Sequence, residues 1–209
     1  MIDSTNFSLF VAASWALIIA PGPDMLYVIT RGMSQGRKAG LLSALGVTLG
    51  ILVHTTSAAF GLAVLLQTSA LAFLLVKYIG ASYLIYLGFK ALKDKSNFAP
   101  LEAHKQAGLR TIFWQGVLSN VFNPKVALFF LAFLPQFVNQ NSAETTLQIL
   151  TLGIIFALFG VMFLSLVGFF AGGIGDWLLQ QRHVASKLRW LTGSIFIGLG
   201  LRLAMVERK

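Results

Sequence analysis

Residues 14–32 read SWALIIAPGPDMLYVITRG: an apolar helical run cut by Pro21, Gly22 and Pro23 and followed at once by an acid, Asp24. Proline removes a backbone donor and clashes with the preceding turn, and Gly22 adds freedom between two prolines. The pattern predicts a helix broken in its middle, with unpaired carbonyls before Pro21 and free amides after Pro23. A second stretch, GVLSNVFNPKVALFFLAFLPQF at 116–137, repeats the design. There Asn123 suits the N-cap, Pro124 the first helical position, and Lys125 stands where the first stretch has Asp24. Each break creates a half-helix N-terminus, which favours negative charge.

The surroundings of these two stretches explain where such breaks can exist. The chain has 209 residues, 56% hydrophobic and only 11% charged, with a mean hydropathy of +0.78. A soluble domain carries about 25% charged residues, so this chain lacks the material for a charged shell. Its 18 Phe exclude a disordered chain. The composition is that of an integral membrane protein. A helical crossing needs about 20 apolar residues. Six candidate spans follow, near Phe7–Ile29, Leu41–Leu66, Leu71–Leu92, Thr111–Val138, Leu147–Ile174 and Leu188–Val206. The first is no cleavable signal, because no Lys or Arg precedes residue 31. Non-helical backbone at membrane depth is tolerated only when buried in protein or lining a cavity.

The basic residues alternate by connection. Arg31, Arg37 and Lys38 follow span 1; Lys90, Lys93, Lys95, Lys105 and Arg110 follow span 3; Arg182, Lys187 and Arg189 follow span 5. The positive-inside rule makes these loops cytoplasmic and both termini external, as in a multi-pass inner-membrane protein. The net charge of +9 is thereby an orientation signal, and no nucleic-acid partner is implied. Zero cysteines and three scattered histidines leave no disulfide and no metal site, and nothing calls for a cofactor.

The halves resemble each other. Displaced by 112, Lys77 falls on Arg189, Ser82 on Ser194, Gly88 on Gly200 and Lys90 on Arg202; displaced by 101, Gly22 falls on Asn123, Pro23 on Pro124 and Asp24 on Lys125. Spans 2 and 5 match at 107, Gly46 on Gly153 and Gly61 on Gly168. Three spans per repeat is an odd number, so the second copy enters the membrane inverted, a construction many secondary transporters use. The expected fold is all-α integral membrane: six transmembrane helices as two inverted three-helix repeats with broken helices 1 and 4. One domain, 1–209, divides into repeat 1 (1–92), a cytoplasmic linker (93–110) and repeat 2 (111–209).

Asp24 and Lys125 are the charges set deepest in apolar spans. Either one costs about 2.5–3.5 kcal/mol at a helix centre, which favours a functional reading. Their placement predicts that they meet near the midplane, where a zwitterionic amino acid fits. Its carboxylate would lie on half-helix amides and Lys125, its ammonium on Asp24 and the freed carbonyls. Asp24 is also a candidate carrier of a coupling proton. The competing reading is a structural ion pair pinning two kinked helices. His54, Asn120 and Gln115 are candidates to line the pathway, each also explicable by interhelical hydrogen bonding. Small-residue pairs such as Gly46 and Gly50 favour close packing within the monomer and leave a homodimer open. A passive channel is the main functional alternative. An intramembrane protease built on Ser82 and His54 is disfavoured, because Ser194 mirrors Ser82, so no enzyme is expected.

The motifs PGPDMLYVITRGMSQGRKAG, KYIGASYLIYLG and GVLSNVFNPKVALFFLAFLPQF together resemble the LysE/RhtB superfamily of bacterial amino-acid exporters, nearest its homoserine/threonine/leucine branch. The likeness extends over essentially the whole chain. It implies export of amino acids or small derivatives from the cytoplasm, driven by proton antiport. The family's motif positions correspond here to Pro21, Gly22, Pro23, Asn123, Pro124 and Lys125.

Overall fold

Both proline-broken stretches fold as pairs of helices meeting at an angle. In the computed structural model, which describes residues 4–62, 70–93, 106–138, 142, 144–180 and 182–205, α1 (Ser4–Ile19) and α2 (Pro23–Gln35) are bent by 49°. Helix α5 (Leu109–Val121) and the segment beginning with α6 (Pro124–Leu128) are bent by 46°. Between them run α3 (Arg37–Ser57) and α4 (Ala70–Lys93); α7 (Thr145–Gln180) and α8 (Arg182–Met205) complete the chain. No strand occurs among the described residues.

Each boundary has a local cause. Pro23 occupies the first turn of α2, where a missing amide costs nothing, and Asp24 complements the positive end of that helix. Gly36, at φ 82°, ends α2 by donating to the Gly32 carbonyl at 3.0 Å and then starts α3. That positive φ is a conformation glycine adopts without penalty. A loop of about ten residues is expected here from the sequence, whereas one residue makes the turn. Arg31, expected in that loop, lies inside α2 and is only 3% exposed. After α6 the helix loosens into a π turn (Phe129–Phe133) and a 3-10 turn (Leu134–Phe137). The linker expected at 93–110 lies outside the described residues over 94–105.

By length and composition, Arg37–Gly61 and Thr145–Ala171 can each cross a membrane, and each bent pair does so if taken as one span. The exterior supports this. Leu71, Ile79, Tyr78, Phe122, Leu158 and Trp190 are all more than half exposed. Water would not tolerate so broad an apolar surface on a monomer, but lipid is its natural solvent. The interior is centred on Phe10, Phe129, Phe130, Phe133 and Phe156, all fully buried, with Phe129 stacked on Phe156 at 4.7 Å.

Helix α3 packs against α5 and α7, α2 packs against α7, and α4 packs along α8. Small residues permit these approaches, as expected where dispersion rather than hydrophobicity drives association. A Cβ at Gly88 would lie 2.8 Å from the Gly193 carbonyl oxygen and 3.0 Å from the Ile197 nitrogen. One at Gly200 would lie 2.8 Å from the Ala81 carbonyl oxygen and 3.1 Å from the Ile85 nitrogen. Each contact becomes the other on adding or subtracting 112, so the α4–α8 seam is reciprocal, as at a two-fold axis.

Candidate functional site

The two breaks face each other, and each half holds the other's charge. The Asp24 carboxylate, 7% exposed at the start of α2, accepts the Asn120 and Asn123 side-chain amides, both at 2.8 Å. The Ser119 hydroxyl approaches it at 3.4 Å. Conversely, the Lys125 ammonium donates to the carbonyls of Leu17 at 3.1 Å and Ala20 at 2.9 Å. Those are carbonyls that Pro21 and the break strip of helical partners. Each charge near a half-helix start is thus fastened to the break in the other bent pair.

This clasp is not the direct ion pair of the competing reading. Asp24 and Lys125 are close in space, but no ion pair joins them among the described residues; each is satisfied by neutral dipoles. The freed carbonyls assigned to a substrate ammonium are held by Lys125 instead. Asn123 caps α6 as expected, its side-chain oxygen accepting the Lys125 amide at 3.0 Å. Its amide nitrogen binds Asp24 at the same time, which ties the cap to the opposite break. Gly22 is the space that admits Lys125: a Cβ there would sit 3.0 Å from the lysine Nζ. Its φ of −167° is extended backbone open to any residue, so the demand is for room alone.

Beside the clasp lies a cavity of about 30 Å³, room for about two waters. Asp24, Asn120 and Lys125 form its polar end, and Leu17, Met25, Val47, Ile51 and Phe156 are among its apolar walls. Asn120, fully buried, has an Oδ1 without a hydrogen-bond partner. The Asn120 backbone carbonyl oxygen is 3.1 Å from His54 Nε2, and the His54 ring stacks on Phe130 at 5.9 Å. His54 therefore braces the end of α5 next to the cavity. Gln115 is elsewhere: its Oε1 accepts from Arg31 at 2.7 Å. Pro21 and Pro23 bound the first break, and Pro124 the second.

Sequence reasoning missed Ser119 and Arg31. Ser119 and Asn120 immediately precede the second break in an otherwise apolar turn, and that polar cluster was its available signal. Arg31 was concealed by the expectation that α2 ended before it. Among the described residues no group of His, Asp and Glu is placed to hold a metal.

Bent, proline-broken helices joined by buried charges across a small cavity define a helical membrane protein of the translocator class. The chain belongs to the LysE type translocator family, whose model matches residues 15–207. Among curated relatives, a leucine efflux protein of Enterobacter sp. (strain 638) is 31% identical over 205 residues, covering 97% of this chain and 96% of its own. The membrane protein YrhP of Bacillus subtilis (strain 168) is 30% identical over 205 residues, covering 94% and 97% respectively. A leucine efflux protein of Salmonella choleraesuis is 27% identical over 208 residues, covering 97% and 96%. No solved structure matches the chain.

Proposed function

We propose that this chain is a secondary exporter of amino acids with aliphatic side chains, working by alternating access and proton antiport in the bacterial inner membrane. The observation that carries the proposal is the crossed clasp. Asp24 and Lys125 are a buried anion and cation held apart by neutral dipoles, at the polar end of an otherwise apolar cavity. A zwitterion offers each of them a better partner. The substrate ammonium takes the Asp24 carboxylate and the open Asn120 Oδ1, and its carboxylate takes Lys125. Releasing Lys125 from Leu17 and Ala20 unfastens α1 from α6, so binding and helix movement are one event. The apolar walls suit a side chain such as that of leucine, the substrate named for two of the relatives.

The cavity is too small for an amino acid, so substrate is admitted only after the walls part. The architecture that supports such movement is a pair of inverted repeats, 1–92 and 111–209, joined by a cytoplasmic linker. Helices α4 and α8 have 24 residues each, about 36 Å of helix, longer than the roughly 30 Å hydrocarbon core. With α3, α7 and the two bent pairs they make six crossings, with both termini external. A proton on Asp24 would compete with the substrate ammonium for the same carboxylate, which gives the coupling a physical basis.

The test is counterflow in liposomes. Purified protein loaded with unlabelled leucine should accumulate external labelled leucine at a saturable rate, and an imposed pH gradient should drive net movement. Uptake that never saturates and shows no exchange would establish a channel instead. Net movement indifferent to the pH gradient would remove proton coupling.

A further inference from the structure

A group of polar contacts lies apart from the clasp, at the far end of α2. Arg31 donates to Gln115 Oε1 at 2.7 Å and to Gln35 Oε1 at 2.7 Å. Gln35 in turn donates to the Ala107 carbonyl at 2.9 Å and accepts the Ala107 amide at 3.3 Å. The Tyr27 hydroxyl donates to the Ile112 carbonyl at 2.7 Å. Residues of α2 thus hold the 107–115 segment, where the linker enters the second half, at several points on one side of the breaks. Behind this latch α3 and α5 are in backbone contact. Gly46 lies against the Phe113 carbonyl, and a Cβ at Gly116 would be 2.8 Å from the Ser43 carbonyl oxygen.

The repeat-related seam, between α1 and α7, is built differently. The displacement of 101 that superposes the breaks carries Gly116 onto Trp15. The Trp15 indole stacks on Phe159 at 5.2 Å and meets Phe163 edge-on at 6.5 Å. One seam is drawn together through glycine, and the other is propped by an indole. In an inverted repeat the two access states exchange the conformations of the two halves. We infer that these seams are the transporter's two opposing gates: the Arg31–Gln35–Gln115 latch with the α3–α5 contact is the gate closed in this structure, and Trp15 props its counterpart. On the positive-inside reading the closed gate is the cytoplasmic one. The inference rests on the exporter reading only for the direction of transport, since gating is measurable without any substrate.

The absence of cysteine makes the native chain its own labelling background. A Gly160→Cys reporter in the cavity wall is exposed to an impermeant thiol reagent from the latch side of oriented vesicles. Labelling should be slow and should accelerate about tenfold when Arg31→Gln is added, a population shift of the size that losing such a latch produces. Arg31→Lys should restore most of the slow rate. Independently, Gln35→Cys/Ala107→Cys joined by a reducible bis-thiosulfonate should hold the gate shut, abolishing latch-side labelling and leucine counterflow until reductant is added. Undiminished counterflow in the cross-linked protein, or latch-side labelling indifferent to both Arg31→Gln and the cross-link, would overturn the inference. Latch-side labelling that responds to Arg31→Gln and to the cross-link, together with no leucine exchange in any variant, would uphold the gate and overturn the substrate reading.

Discussion

Asp24 and Lys125 are satisfied by dipoles rather than by each other, so their substitutions should have different consequences. Asp24→Ala leaves the Asn120 and Asn123 amides without an acceptor, each buried donor costing about 1–3 kcal/mol. Asp24→Asn keeps the volume and one acceptor, so it should insert and fold while losing the charge. Leucine counterflow by Asp24→Asn is expected to fall by about tenfold or more, the scale of one lost charge-assisted hydrogen bond. Folding is checked separately by thermal unfolding in detergent; full-rate, pH-driven export by this variant would end the role given to Asp24. Gly22→Ala tests the room made for Lys125. Its Cβ would press the ammonium away from Leu17 and Ala20, and transport should drop several-fold with little change in unfolding temperature. Because that effect acts through one side chain, Gly22→Ala added to Lys125→Met should cost little more than Lys125→Met alone, a non-additivity read by a double-mutant cycle.

At the scale of elements, the reciprocal α4–α8 seam makes a quantitative claim. Gly88→Val and Gly200→Val each force branched volume into a backbone contact under 3 Å. Such overpacking typically costs about 1–3 kcal/mol. Equivalent positions should lose similar stability, and the double variant less than the sum, because one separation of the helices relieves both clashes. Unfolding monitored in detergent measures this; strongly unequal losses would mean that the seam is not a symmetric one. The sequence made these elements legible where the signal was covalent. Proline at 23 and 124 located both breaks to the residue, because a missing amide is a local fact. Helix ends were less legible: α2 runs on through Arg31 to Gln35 because Gln35 and Gln115 receive a guanidinium that hydropathy alone would place in water. The partners of Asp24 were hidden for the same reason. Nothing local to residue 24 indicates that Ser119, Asn120 and Asn123 converge on it, and only the packing of the two bent pairs against each other brings them there.

The whole molecule carries an orientation that its contacts and its charges address separately. Phe10, near the start of α1, packs edge-on against Phe137 at 5.6 Å, and Arg202, near the end of α8, lies 6.0 Å over the same Phe137 ring. The start of α1 and the end of α8 therefore lie at one end of the bundle. At the opposite end, Gln35 is tied to Ala107, and Arg37 lies 4.5 Å over Phe169. A chain whose first and last helices begin and end on one side makes an even number of crossings, as the proposed six spans do. The charges then choose the side. With Arg31 buried inside α2, the first basic connection keeps Arg37 and Lys38, both exposed, and remains on the face opposite the termini. The positive-inside rule predicts a cytoplasmic position for that face. Alkaline phosphatase fused at either terminus should then be active, green fluorescent protein fused there should be dark, and a reporter inserted after Gly36 should behave in the reverse way. Fluorescent fusions at both termini would invert the orientation, assign the latch gate to the exterior, and leave the even number of crossings intact. One active and one inactive terminus would break the six-span arrangement itself, and with it the inverted repeat on which two opposing gates depend.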